Sequence, residues 1–329
     1  MSIDARRRRV VTSLAAGTAA LAMAPCRAQG SSYPNRPIRM VLGFAPGGPT
    51  DIVARILGQR MSEQFGQPVI IDNRPGAGGN IAAETVAKSA PDGYTILYNT
   101  SSIAISPWVF DKVNFDPLRD FTPIAMTADS PLVLLVNPGV KANTPAELIA
   151  LIRSNPGKFN YSTSGVGTIE HLTSAQFASI HGLQVSHVPY KGTAPALIDL
   201  IAGQVQFQMT PQSTAIPYVR DGKLRALGVT SRERSKALPD VPTISESMKS
   251  EFVASAWHGL VAPAATPRPI VDALNRYVNV ALKDPVVIQK LGDQGIEAVG
   301  GTEEKYGRFL ASELARWETV VKQTGAKAE

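Results

Sequence analysis

Short apolar runs broken by glycine and proline turns, each followed by a segment with apolar positions every three or four residues, fill the chain from Tyr33 to about residue 230. Ile38 to Phe44 reads as a strand and Ile52 to Phe65 as an amphipathic helix. Val69 to Asn73 is a second strand, Ala82 to Ala90 a second helix and Tyr94 to Asn99 a third strand, followed by the polar Thr100-Ser101-Ser102. Such alternation predicts a parallel sheet with crossover helices. In these sheets a ligand lies beyond the carboxyl ends of the strands, where Gly47-Gly48, Arg74-Pro75-Gly76 and Thr100-Ser101 would converge.

A second series repeats the pattern. Phe121 to Thr127 and Leu132 to Val136 are extended runs separated by Asp129-Ser130-Pro131, where the first crossing between lobes is expected. Thr144-Pro145-Ala146-Glu147 places an N-cap, a first-turn proline and a capping-box glutamate in register, which opens a helix through Ile152. Strands are expected at Asn160 to Thr163, Val185 to Tyr190, Val205 to Met209 and Leu224 to Val229, with a helix over Pro195 to Ala202. Phe252 to Val261 reads as the extended return crossing. Ile270, Leu274, Tyr277, Val278, Ala281 and Leu282 keep a helical period, as do Leu310, Leu314, Trp317 and Val321. The expected division is residues 1–28 as a leader, 29–129 with 253–329 as one α/β lobe, and 130–252 as the other.

The leader reading comes from Arg6 to Arg9, the apolar run Val10 to Ala24 and the small residues Cys26 and Ala28 at cleavage-site spacing. Cleavage near Ala28 is expected, with Sec or twin-arginine export both open, because Arg8-Arg9-Val10-Val11 lacks the full twin-arginine pattern. Met23-Ala24-Pro25 is a poor lipobox before Cys26, the single cysteine of the 329 residues. The mature chain then has no thiol for a disulfide, a nucleophile or a thiolate metal site. Beyond residue 28 there are 28 basic and 26 acidic residues, so the net charge falls from +6 to +2. That weakens a nucleic-acid reading, for which no basic stripe is visible beyond the leader, and no later run is long enough to insert in a membrane.

The chemistry concentrates in two glycine turns. Around Gly47-Gly48-Pro49-Thr50-Asp51, glycine permits a tight turn, proline suits the first helical position and Asp51 falls in the first turn, which leaves amide donors at a helix N-terminus. Ser164-Gly165-Val166-Gly167-Thr168 repeats the device before a helix carrying His171. An ordinary βα loop with a good cap fits the first stretch equally well, and a packed His171 fits as well as a ligand contact. His171, His181, His187 and His258 have no metal-binding spacing, and no nucleophile elbow or phosphate loop is present. Gly165-x-Gly167 has Glu170 where the dinucleotide fingerprint requires its third glycine. No cofactor is expected.

Five motifs together carry a resemblance: Phe44-Ala45-Pro46-Gly47-Gly48-x-x-Asp51-x-x-Ala54-Arg55, Asn73-x-x-Gly76-Ala77-Gly78-Gly79, Pro91-Asp92-Gly93-Tyr94-Thr95, the stretch from Ser164 and Gly167 through His171-Leu172, and His187-Val188-Pro189-Tyr190-Lys191-Gly192 with Pro195 and Asp199. In this order the chain resembles the receptors of tripartite tricarboxylate transporters, also called Bug proteins. The resemblance implies a periplasmic two-lobed binding protein of the Venus flytrap fold, each lobe a mostly parallel sheet flanked by helices, joined by crossing hinge strands. It also implies a small carboxylate ligand (a di- or tricarboxylate, an acidic amino acid or an aromatic acid), gripped by loops 44–51 and 163–171 largely through backbone amides and bridging water. On that basis the ligand contacts are expected at Phe44, Ala45, Gly47, Gly48, Thr50, Asp51, Asn73 and Ser101 on one lobe. On the other they are Thr163, Ser164, Gly167, Thr168, His171, Tyr190 and Gly192. Thr168 stands where the family pattern has serine, and Pro49 follows the double glycine, so ligand identity does not carry over. A tripartite permease or a sensor kinase is the implied partner, and a monomer is the default state. The other readings are an exported α/β hydrolytic enzyme, for which no nucleophile and base spacing appears, and the effector domain of a transcription regulator, which the leader argues against.

Overall fold

The computed structural model describes residues 33–328. The expected leader, its cleavage position and Cys26 lie outside the described residues. From Arg36 to the C-terminus the chain forms one compact unit.

Two sheets organise that unit. The first contains β1 (Ile38–Leu42), β2 (Val69–Asn73), β3 (Thr95–Thr100), β4 (Phe121–Asp129), β10 (His258–Pro263) and β11 (Glu297–Ala298), in the order β11-β4-β10-β3-β1-β2. The second contains β5 (Leu132–Val136), β6 (Phe159–Thr163), β7 (Val185–Pro189), β8 (Phe207–Pro211) and β9 (Arg225–Val229), in the order β7-β6-β8-β5-β9. The parallel pairs are β1 with β2 and β3, and β6 with β7 and β8. The expectation of mostly parallel sheets needs one refinement: β10 runs antiparallel to β3 and β4, and β5 runs antiparallel to β8 and β9. The cause is the crossing itself. A strand that has just arrived from the other sheet enters where the carboxyl ends of its new neighbours lie, so it must run against them.

The chain leaves the first sheet after β4 and enters the second at β5, over Ser130 and Pro131. It returns through Val253 to Trp257, where Pro131 and Ser255 form an antiparallel bridge and Ala256 N–H donates to Ser130 O at 2.8 Å. The return crossing is tied to the C-terminal helix α11 (Glu303–Thr324): Trp257 Nε1 and Trp317 Nε1 both donate to buried Glu313 Oε2, at 2.8 and 3.0 Å.

The helices that matter for the site follow parallel strands. α1 (Pro49–Phe65) has Pro49 in its first turn, ends on left-handed Gly66 and buries Val53, Leu57 and Met61, one side of the helix at i, i+4, i+8 spacing. α2 (Asn80–Ala87) follows β2, and α3 (Ser102–Val109) follows β3. In the second sheet α4 (Pro145–Arg153) precedes β6 with the expected cap, Thr144 Oγ1 accepting from Glu147 N–H at 3.1 Å. α5 (Ile169–Ile180) follows β6, α6 (Thr193–Ile201) follows β7, and α7 (Gln212–Arg220) follows β8 directly. The remaining helices are α8 (Ile244–Met248), α9 (Arg268–Leu282) and α10 (Pro285–Gly292). Helices α3, α7, α8 and α10 are absent from the sequence reading, and the strand expected over 205–209 lies two residues later. One apolar cluster runs from Val41 and Leu97 through Leu132 and Trp257 to Phe177 and Trp317, so the core is continuous across both crossings.

Candidate functional site

The loops after β1 and β6 lie at the carboxyl edges of the two sheets, and the turn after β2 reaches the second of them. A Cβ placed on Gly78, in the turn between β2 and α2, would lie 3.4 Å from Val166 O and 3.5 Å from Phe110 Cε2. A Cβ on Gly167 would lie 2.6 Å from the same Phe110 carbon. Phe110 ends α3, so an aromatic ring from the first sheet's layer rests on the glycine loop of the second.

Loop one is anchored by Asp51. Gly47 sits at φ +81°, and its N–H donates to Asp51 Oδ2 at 2.9 Å; Arg55 Nε donates to that oxygen at 2.8 Å. Asn73 Nδ2 donates both to Asp51 Oδ1 and to Phe44 O, each at 3.0 Å. Burial works to raise the Asp51 carboxyl, but the bonds from Arg55, Gly47 and Asn73 outweigh it and hold the pKa below its ordinary value. Asp51, expected among the ligand contacts, therefore has both oxygens engaged within the loop, and Asn73 braces it. Phe44 is half-buried beside Gly79, whose added Cβ would lie 3.7 Å from the ring, and Ala45 is exposed at the loop tip. Arg74 is paired with Asp72 at 3.0 Å. Thr50 is buried with Oγ1 3.4 Å from His258 Nε2, and Ser101 is buried with its N–H on Trp257 O at 3.0 Å.

Loop two has its own carboxylate anchor. Glu170 is 2% exposed; Oε2 accepts from Ser164 N–H at 2.6 Å, and Oε1 accepts from Thr193 Oγ1 at 3.0 Å and Thr210 Oγ1 at 3.1 Å. It thus joins the starts of α5 and α6 to β8. Burial raises its pKa, and the hydrogen bonds from Ser164, Thr193 and Thr210 only oppose that rise. Thr168 caps α5, accepting from His171 N–H at 3.4 Å and donating to Gly165 O at 2.8 Å. Tyr190 and Gly192 brace the loop from behind: their N–H groups donate to Thr163 O at 3.0 Å and Ser164 O at 3.1 Å. The Tyr190 hydroxyl donates to Asp199 Oδ2 at 2.6 Å; burial and that carboxylate push its pKa up to about 12.

His171 belongs to a stack of rings. Its ring lies 4.1 Å from His187 at 11°, and His187 lies 5.0 Å from Tyr161 at 15°. Gly167 N–H donates to His171 Nδ1 at 3.3 Å, so the neutral ring carries its proton on Nε2. His187 Nε2 and Thr163 Oγ1 are 2.7 Å apart. Burial lowers His171 to about 4, and burial together with the neighbouring His171 lowers His187 to about 3. Burial alone lowers His258 to about 4. All three rings are therefore neutral near pH 7.

With Gly47, Ser164 and Gly167 satisfied inside the protein, the unspent donors lie one step further on. Gly48 and Thr168 N–H groups bond to no other described residue, and Thr50 and Asp51 in α1 and Ile169 and Glu170 in α5 lack intrahelical partners for theirs, Pro49 having no N–H. Each loop thus presents a short row of amides at a helix start, reinforced by the helix dipole. Glu170, Phe110, His187, Thr193, Thr210 and His258 take part in this architecture without having been singled out from the sequence as site residues. Glu170 was legible in principle, since it occupies the first turn after a glycine loop as Asp51 does. Among the described residues no cluster of His, Cys, Asp or Glu could hold a metal ion, and no helix is long and apolar enough to cross a membrane.

Comparisons with known proteins agree with this architecture. Residues 53–326 match the family described as tripartite tricarboxylate transporter family receptor. Protein BugT of Bordetella pertussis is 39% identical over 298 residues, covering 90% of this chain and 91% of that protein. The structure of Rpa4515 from R. palustris with adipate superposes with a TM-score of 0.85 at 36% identity, covering 89% of this chain and 98% of the other. MatC from Rhodopseudomonas palustris with bound malate gives 0.81 at 34% identity, covering 88% and 100%. The chain belongs to the receptors of the tripartite tricarboxylate transporter family, which are solute-binding proteins rather than enzymes.

Proposed function

We propose that this protein is a periplasmic receptor that captures a small carboxylate between two lobes, residues 29–129 with 253–329 and residues 130–252, after cleavage near Ala28. The observation that carries this reading is the pair of helix starts at the carboxyl edges of the two sheets, α1 and α5, each held in shape by its own acidic side chain and each with amides left over. The ligand's anionic group supplies acceptors to Gly48 and the first turn of α1 on one side, and to Thr168 and the first turn of α5 on the other. Thr50, Ser101 and the Nε2–H of His171 border the same space. The anion then stabilises closure further, because it interacts with both helix starts at once. Recognition by dipoles and neutral rings suits this site, since Arg55 and Arg74 are already tied to Asp51 and Asp72. The adipate and malate held by two relatives make dicarboxylates the first candidates. The receptor, acting as a monomer, delivers its ligand to a tripartite permease or a sensor kinase, a reading that its family supports.

Thermal unfolding against a panel of mono-, di- and tricarboxylates, aromatic acids and acidic amino acids tests the reading. A ligand at 100 times its dissociation constant adds about 2.7 kcal/mol, which for a protein of this size raises the midpoint by several degrees. A panel in which no acid moves the midpoint removes the carboxylate reading.

A further inference from the structure

Phe110 belongs to no part of the anion clamp, yet its ring stands between the two lobes. It is half-buried at the end of α3, where Phe110 N–H donates to Ser106 O at 3.1 Å, so the backbone that carries it is fixed by the helix. On one side the ring meets Gly167, at φ +75°, so closely that a Cβ there would be 2.6 Å from Cε2 and 3.4 Å from Cζ. The same ring edge also meets Gly78, where a Cβ would be 3.5 Å from Cε2 and 3.6 Å from Cζ. Gly78 in turn adjoins Gly79, whose Cβ would touch the Phe44 ring at 3.7 Å, so loop one, the Gly76–Gly79 turn, Phe110 and loop two form one continuous line of contacts.

We propose that Phe110 is a specificity-determining residue: its ring walls one end of the cleft and sets the length of the acid that fits between the two helix starts. The inference rests on the receptor reading above and deepens it. A ring seated on two glycines has no side chain to push aside, so its own size fixes how much room remains beside the clamp. Removing the ring leaves space bounded by Gly78, Val166 and Gly167, directly alongside the unspent amides of α5. A longer carbon chain then extends into that space while its carboxylate keeps the same donors.

The test measures dissociation constants of the unbranched α,ω-dicarboxylates from malonate to suberate by calorimetry, for the wild type, Phe110→Ala and Phe110→Leu. The apo unfolding midpoint of each variant confirms that it folds. The expected result is a preferred length that increases in Phe110→Leu and further in Phe110→Ala, with the ratio of affinities for a long and a short acid shifting at least tenfold toward the long one. A uniform loss across the series, or an unchanged ratio in both folded variants, would overturn the proposal while leaving the receptor reading in place. A wild-type protein that binds none of these acids, but does bind another carboxylate, would equally overturn it. If the wild type binds no carboxylate at all, the receptor reading itself fails, and this inference with it. Should Phe110→Ala fail to fold, Phe110→Leu alone decides, since it shortens the wall while keeping an apolar contact on Gly167.

Discussion

Gly167→Val abolishes ligand binding while the apo protein still folds. The valine Cβ would stand 2.6 Å from Phe110 Cε2 when the lobes are as close as they are here, and the backbone at φ +75° is one that β-branched residues rarely adopt. The apo chain relieves the collision by keeping the lobes apart, so its stability falls only by the backbone strain, about 1–2 kcal/mol. On the proposed reading ligand binding is not relieved in that way, because the anion touches both loops. A loss of more than 100-fold in affinity is expected by calorimetry, about 2.7 kcal/mol or more. Wild-type affinity in this variant would show that loop two takes no part in closure.

The second large effect is at Glu170. Glu170→Ala leaves Ser164 N–H and the hydroxyls of Thr193 and Thr210 without their buried acceptor, at a cost of about 1–3 kcal/mol for each group that finds no substitute. The unfolding midpoint should fall by several degrees, and ligand affinity should weaken because loop two loses its brace. Glu170→Gln keeps an acceptor oxygen for Ser164 and retains most of both properties. The pH dependence separates the two variants further. Burial raises the Glu170 pKa in the folded protein, so its contribution to stability is fully present below the unfolded carboxyl value near pH 4.3 and is lost as pH rises through the folded pKa. The stability difference between Glu170→Gln and wild type should therefore move in favour of glutamine as pH rises from about 4 to 8. A difference that stays flat over this range would mean that burial does not raise the Glu170 pKa in the folded protein.

The parts of the fold that can be read from sequence are those whose burial is one-sided. β2 is bounded by turn signals at Gly66 and Arg74-Pro75, and α11 buries Leu310, Leu314, Trp317 and Val321 in helical register. α3 escapes the same reading because Ser102, Ile103, Ala104, Ile105, Ser106 and Val109 are all buried, which erases the period, and Pro107 sits inside it. α7 opens on polar residues and carries Pro217, and α10 has just two buried positions, Val287 and Leu291. The reversed direction of β5 and β10 depends on which edge a crossing strand enters, a tertiary fact that local pattern does not encode. At the site, both glycine turns were legible because positive φ demands glycine. Their acidic anchors were less so: Asp51 and Glu170 both read as first-turn caps from position, but the partners that make Glu170 a brace, Thr193 and Thr210, lie 23 and 40 residues away. Phe110 is legible only in three dimensions, since Gly78 and Gly167 reach it from different sheets.

The central claim is that one anion bridges the starts of α1 and α5, and a crystal structure with a bound acid from the thermal panel tests it most directly. Carboxylate oxygens are expected within hydrogen-bond reach, directly or through one water, of the amides of Gly48, Thr50 and Asp51 and of those at Thr168 to Glu170. An acid seated elsewhere, or bonded to the loop of one lobe alone, would contradict it.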